Sequence, residues 1–260
     1  MVAVQRRANP FRGPALGLVG GACLLAALDV TLGLTAVGWV SGLLCAAGTS
    51  TLLARGLIAS GAPGLGPADR VTLTRAMVVA AVAALAAQAL LSTPGRGGRG
   101  VLVALAAVAL ALDAVDGWVA RRTGTASPLG ARFDMEVDAF LILVLSVHVA
   151  PAAGAWVLLI GAARYLLAGA EQVLPWLRAP VPRRFWRKVV AAVQGIVLTT
   201  VAAALLPPVV SRIGLGVALV LLAESFGRDV WFLHAQRLPE RAQPPFTRGG
   251  GGVLRIRSHQ

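Results

Sequence analysis

DAVDGWVARRTGTASPLGARFDMEVD, Asp113 to Asp138, is the stretch on which the reading of the whole chain turns. Four aspartates stand in it at successive spacings of three, eighteen and four, with Gly117, Ala120, Arg121 and Gly130 between them. The pattern predicts the end of one apolar helix, a short Gly/Ser/Pro turn and the start of the next. Asp113, Asp116 and Ala120 lie at i, i+3 and i+7, with Gly117 beside Asp113 at i+4, so all four share a helical face. Gly130, Asp134 and Asp138 repeat at steps of four and make a second face. A hairpin brings the two faces together. Carboxylates crowded in this way repel one another unless positive charge sits among them, and oxygen-only donors suit hard cations such as Mg²⁺, Mn²⁺ or Ca²⁺.

Outward from the hairpin the chain is strongly apolar: 57% hydrophobic and 13% charged, which excludes an ordinary soluble domain. Apolar runs of about twenty residues recur, the length a helix needs to cross roughly 30 Å of hydrocarbon. Spans are expected at 15–34, 36–54, 71–92, 101–121, 133–150, 153–175, 189–207 and 213–234. The fold class is therefore all-α integral membrane, with about eight transmembrane helices. Residues 1–60 read as an N-terminal transmembrane hairpin, 61–236 as the main body, and 237–260 as a basic, disordered cytoplasmic tail. Ser60–Pro67 is a linker by composition.

The net charge of +13 would suit nucleic acid or an anionic membrane surface. Its distribution decides. With a cytoplasmic N-terminus, twenty of the twenty-four basic residues fall on cytoplasmic segments, as the positive-inside rule predicts. Nucleic acid is not needed to explain the charge. The same assignment puts the aspartate hairpin on the cytoplasmic side of a cell membrane.

The run D-x2-D-G-x2-A-R-x8-G-x3-D-x3-D is present without a substitution. It resembles the CDP-alcohol phosphotransferase family, membrane enzymes of phospholipid synthesis that move a phospho-alcohol group from a CDP-linked donor to an acceptor alcohol. The resemblance covers about two thirds of the chain and implies a six-helix catalytic core, with the hairpin of residues 1–60 outside it. It also implies two divalent cations, Mg²⁺ or Mn²⁺, held by Asp113, Asp116 and Asp134, with Asp138 as general base on or close to the second metal. Gly117 and Gly130 would let the nucleotide approach the helix backbones, Ala120 would keep the cytidine pocket open, and Arg121 would meet the phosphates. Asp69, Thr72 and Arg75 resemble the family's Asn-x-x-Thr-x-x-Arg run, with the Asn replaced, which suggests Thr72 and Arg75 as donors near the phosphates.

A second constellation, PVPRRFWRKVVAAVQ from Pro180 to Gln194, places Arg183 and Lys188 at the entrance of a span. It departs from the Gly-Lys-x-x-Thr-x-x-Gln-like run of phosphatidylglycerophosphate-synthase-like members, with Arg187 for the Gly and Ala191 for the Thr. Together with the intramembrane Arg164, these residues suit a phosphorylated acceptor such as glycerol 3-phosphate or inositol phosphate. The donor expected is CDP-diacylglycerol, among membrane lipids, and the family leads one to expect a homodimer. The alternative function is divalent-cation transport through the carboxylate cluster, a reading that does not ask for Gly117, Ala120, Arg121 and Gly130. Glu136 points away from its acidic neighbours and is expected to partner an arginine. His148 reads as a buried or cavity-lining histidine, and Asp29 as a carboxylate reaching for water near a helix end.

Overall fold

Helix boundaries fall where the sequence supplies caps and breakers. The computed structural model describes residues 11–61, 64–91, 96–124, 127–179 and 185–240. Helix α1 (Arg12–Leu32) stops at Gly33, whose φ of +68° is a left-handed conformation open to glycine. The Thr35 hydroxyl caps α2 (Ala36–Ser60) by accepting from the Gly38 N–H at 3.3 Å. Helix α3 (Pro67–Leu91) begins on a proline, and the Asp69 carboxylate accepts the Gly66 N–H at 3.0 Å, as a helix-start acid should. After α4 (Arg96–Thr123), Ser127 caps α5 (Pro128–Ala153) by accepting from the Gly130 N–H at 2.9 Å. Then come α6 (Leu158–Val173), α7 (Phe185–Ala202) and α8 (Pro208–Glu240). No strand occurs among the described residues.

Helix α3 is the axis of the bundle. It packs against α1, α2, α4 and α5, and its small side chains are buried all round, from Ala76 through Ala80, Ala81 and Ala84 to Ala86. An alanine-rich helix lets neighbouring backbones come close on every side, the packing mode that serves where lipid supplies no hydrophobic drive between helices. The far end of α3 is tied to the α1–α2 turn: Gln88 accepts the Thr35 N–H at 2.9 Å and donates to the Gly33 carbonyl at 3.2 Å. Asp29 belongs to that turn as well. Its carboxylate accepts the Leu34 N–H at 2.8 Å, so it locks the hairpin connection and does more than reach for water.

Among the described residues six helices, α1 to α5 and α8, are long and apolar enough to cross a membrane. Large apolar side chains point outward along them, including Leu16 at 72% and Val30 at 89% exposure, a surface that hydrocarbon rather than water would cover. The run expected to span at 153–175 opens on a tighter turn. Helix α5 ends at Gly154 (φ +113°), a 3₁₀ turn covers Ala155–Val157, and α6 follows directly with 16 residues. Together the turn and α6 rise about 30 Å, about the hydrocarbon thickness. Helices α5 and α6 meet closely, because a Cβ added at Gly161 would lie 2.6 Å from the Leu143 Cα.

Helix α8 continues through Glu240, so residues 237–240, expected in a disordered tail, are helical. The remainder of that tail, 241–260, and Arg183 and Arg184 lie outside the described residues. The starts of α3, α5 and α7 and the end of α4 come together at one end of the bundle, where the aspartates stand.

Candidate active site

The four aspartates converge, and a single side chain of α3 joins them. Asp113 and Asp116 stand near the end of α4, Asp134 and Asp138 in the first turns of α5, and the guanidinium of Arg75 lies between the pairs. Its Nη1 is 2.5 Å from Asp113 Oδ1 and 3.4 Å from Asp116 Oδ2. Its Nη2 is paired with Asp134 Oδ1, lies 3.2 Å from Asp138 Oδ1, and donates to the Asp134 carbonyl at 3.2 Å. Each prong of the fork thus serves one helix, a geometry that a planar guanidinium allows and an ammonium does not. Arg75 is 1% exposed.

Thr72, one turn earlier on α3, is buried beside it. Its hydroxyl lies 3.2 Å from both Asp116 Oδ2 and the Ala68 carbonyl, so its one proton is shared between them. Thr72 and Arg75, expected as donors near phosphates, are in this structure engaged by the aspartates. The reason is depth: both project inward from the most buried helix, to where α4 and α5 present their acids.

The carboxylates differ in access. Asp116 is buried, whereas the side chains of Asp113, Asp134 and Asp138 retain 45%, 34% and 35% of their surface. The site is open to small solutes on one side and closed by α3 on the other. One oxygen from each of Asp113, Asp116 and Asp134 can be chosen so that all three lie within 4.8 Å of one another. An all-oxygen set at that separation fits a hard divalent cation. One arginine leaves four acids largely uncompensated, so the charge of the site fits such a cation too.

Residues 65–224 match the profile of the CDP-alcohol phosphatidyltransferase family. The chain belongs to that family. Neither a curated protein nor a solved structure matches it. CDP-alcohol phosphatidyltransferases transfer a phospho-alcohol group from a CDP-alcohol to an acceptor and depend on divalent metal, and the chain is an enzyme of that type.

The remaining positions of this phosphatidyltransferase's motif are distributed unevenly around the aspartates. Gly117 is roofed by Arg121, whose Nη1 would lie 3.2 Å from a Cβ there, so the arginine side chain folds back along its own helix. Arg121 is exposed and Ala120 half-buried. Arg122 stacks on Trp118, 5.0 Å from the ring centroid. Gly130 sits elsewhere: a Cβ on it would fall 2.3 Å from Asp69 Oδ1 and 3.0 Å from the Ser127 hydroxyl. The space beside Gly130 is thus filled by the acid that caps α3, and any side chain at 130 would have to displace that carboxylate.

Among the residues expected to meet the acceptor, Lys188 is exposed at the start of α7, close enough to Asp134 for its charge to be felt there. Its neighbours are used structurally. Arg187 pairs with Asp229 at 2.6 Å, and Trp186 donates to Glu224 at 2.9 Å, fastening α7 to α8. Arg164 pairs with Glu136 at 2.7 Å, the arginine partner expected for that acid. Gln194 is buried, and its Nε2 has no partner among the described residues. His148 lines a cavity of about 270 Å³ near Gln88, Arg99 and Leu102, toward the end of α3 remote from the aspartates.

The sequence reading missed Asp69 as a contact of Gly130 and Arg75 as the centre of the aspartate cluster. For Arg75 a signal existed, since an arginine eight residues into an apolar helix needs acidic partners. The hairpin offered the densest group of them.

Proposed function

We propose that this phosphatidyltransferase takes CDP-diacylglycerol as donor and a phosphorylated small alcohol, glycerol 3-phosphate or inositol phosphate, as acceptor, working on the cytoplasmic face of the cell membrane as a homodimer. The observation that carries the reading is the four-aspartate cluster at the ends of α4 and α5, open to water on one side. Asp113, Asp116 and Asp134 are the proposed ligands of two divalent ions, Mg²⁺ or Mn²⁺, with Asp138 on or beside the second. When bound, such ions neutralise a pyrophosphate and stabilise the departing CMP oxygen.

The protein's own groups carry the remaining steps. Asp138 takes the proton of the acceptor hydroxyl; its side chain keeps 35% of its surface, and it stands outside the close trio of Asp113, Asp116 and Asp134, which suits a base beside the metals. The acceptor oxygen attacks the lipid-side phosphorus, the bond from that phosphorus to the CMP oxygen breaks, and CMP leaves with both electrons of that bond. Thr72 holds the buried Asp116 in one rotamer, and Gly117 with Ala120 offers a low wall for a cytosine ring once the Arg121 side chain that covers Gly117 turns outward. Arg121 and Lys188 supply positive charge on either side of the cluster, the former toward the nucleotide phosphates and the latter toward the acceptor. Arg164 and Arg183 complete the proposed acceptor pocket, with Arg164 steered by Glu136.

Incubation of the purified protein with CDP-diacylglycerol and a panel of alcohols, read by the mass of the lipid product, tests the reading. A phosphatidyl product with a phosphorylated alcohol supports it. A product only with a neutral alcohol or a lipid acceptor would leave the basic cluster as a topological signal and remove the acceptor pocket.

A further inference from the structure

Four carboxylates from two helices meet at one point, and the cation found among them is part of the protein. Arg75 is 1% exposed and reaches Asp113, Asp116, Asp134 and Asp138, with one nitrogen toward each helix. A single carboxylate would balance the charge of a buried arginine. Four of them make the guanidinium the keystone of the α3, α4 and α5 contact, because the acids would otherwise repel across the α4–α5 gap. Three of the same carboxylates, Asp113, Asp116 and Asp134, form the trio within 4.8 Å that fits a divalent ion, so the guanidinium and an ion draw on one set of acids.

From this overlap we infer that Arg75 is a built-in counter-cation, which holds the metal-free site assembled and competes with divalent ions for its carboxylates. It is a positioning residue, acting through the aspartates. The inference rests on the proposed reading of those aspartates as metal ligands. It carries two linked consequences. Without Arg75 the metal-free protein loses the charge that holds α4 to α5, and it becomes less stable. An incoming ion, no longer required to part a guanidinium from its oxygens, binds more tightly.

The test uses the full chain in detergent with no donor or acceptor, Mn²⁺ binding followed by electron paramagnetic resonance, and thermal unfolding with and without Mn²⁺. Arg75→Gln is expected to melt below wild type without metal, to gain more from Mn²⁺ than wild type does, and to bind Mn²⁺ about tenfold more tightly. Arg75→Lys keeps the charge but not the fork and should fall between the two. Low-millimolar guanidinium, far below denaturing concentrations, should raise the metal-free melting temperature of Arg75→Ala and weaken its Mn²⁺ binding while leaving wild type unchanged. A merely structural arginine would not give that competition.

Mn²⁺ binding to wild type with equal or weaker binding to Arg75→Gln would overturn the inference and leave the metal reading standing. Should Arg75→Gln fail to fold even with Mn²⁺, Arg75→Lys decides, and wild-type affinity in it overturns the inference. No Mn²⁺ binding by wild type or any variant would remove both the inference and the metal reading beneath it.

Discussion

Gly130→Ala should destabilise this protein, although the same change in most helices would help it. A Cβ at position 130 would lie 2.3 Å from Asp69 Oδ1, far inside contact distance, and Asp69 is itself buried and holds the Gly66 N–H. Either the carboxylate swings away and the α3 cap is lost, costing about 1 kcal/mol, or α5 shifts from α3 at an overpacking cost of about 1–3 kcal/mol. Against these stands a gain of up to about 1 kcal/mol from replacing a helical glycine by alanine. The net expectation is a loss of up to about 2 kcal/mol. In an Asp69→Ala background the colliding oxygen is absent, only the Ser127 hydroxyl at 3.0 Å has to give by a few tenths of an ångström, and the alanine gain is left. Adding Gly130→Ala to Asp69→Ala should then be neutral or slightly stabilising, a change of sign between backgrounds. Thermal unfolding of the four proteins in one detergent, followed by tryptophan fluorescence, measures it. Equal losses from Gly130→Ala in both backgrounds would refute the argument from Asp69 and return Gly130 to a direct role at the nucleotide.

Other expectations bear on the chemistry. Asp138→Asn should abolish transfer while the protein stays folded and still binds donor; retained turnover would take the base role from Asp138. Lys188→Ala should raise the acceptor's KM more than the donor's, and an unchanged acceptor KM would count against the pocket at the start of α7. Thr72→Val removes the bond to buried Asp116 without changing side-chain volume much, and should lower stability by about 1 kcal/mol and weaken Mn²⁺ binding several-fold. Mn²⁺ affinity equal to wild type would mean that Asp116 keeps its rotamer without the hydroxyl.

The aspartate hairpin was legible because helix periodicity fixes which side chains share a face, and a four-residue connection leaves the two faces nowhere to go but together. The membrane class was legible from apolar runs, since span length is set by the bilayer. What sequence did not reveal was the centre of the bundle. Helix α3 reads as one apolar run among eight, and its burial follows from alanines whose small size matters only once neighbours surround them. Burial in turn gives Arg75 and Thr72 their carboxylate partners. The α5–α6 junction falls between two expected spans, but its form was not legible: Gly154 at positive φ and the 3₁₀ turn after it are local changes of backbone that hydropathy does not register. Asp29 follows the same logic, satisfying the Leu34 N–H at a helix junction, a duty its acidic letter does not announce, whereas Asp69 just inside a proline-led helix start is a cap that sequence does offer.

The central claim is that the acids of α4 and α5 form a metal-dependent transfer site for a CDP-linked lipid. It is tested most directly by release of radiolabelled CMP from CDP-diacylglycerol, measured with acceptor present, after chelation and after return of Mg²⁺ or Mn²⁺. The account predicts CMP release that disappears on chelation, returns with either ion, and is absent in Asp113→Asn and Asp134→Asn. CMP release indifferent to chelation, or ion flux through vesicles with no CMP released for any acceptor, would contradict it.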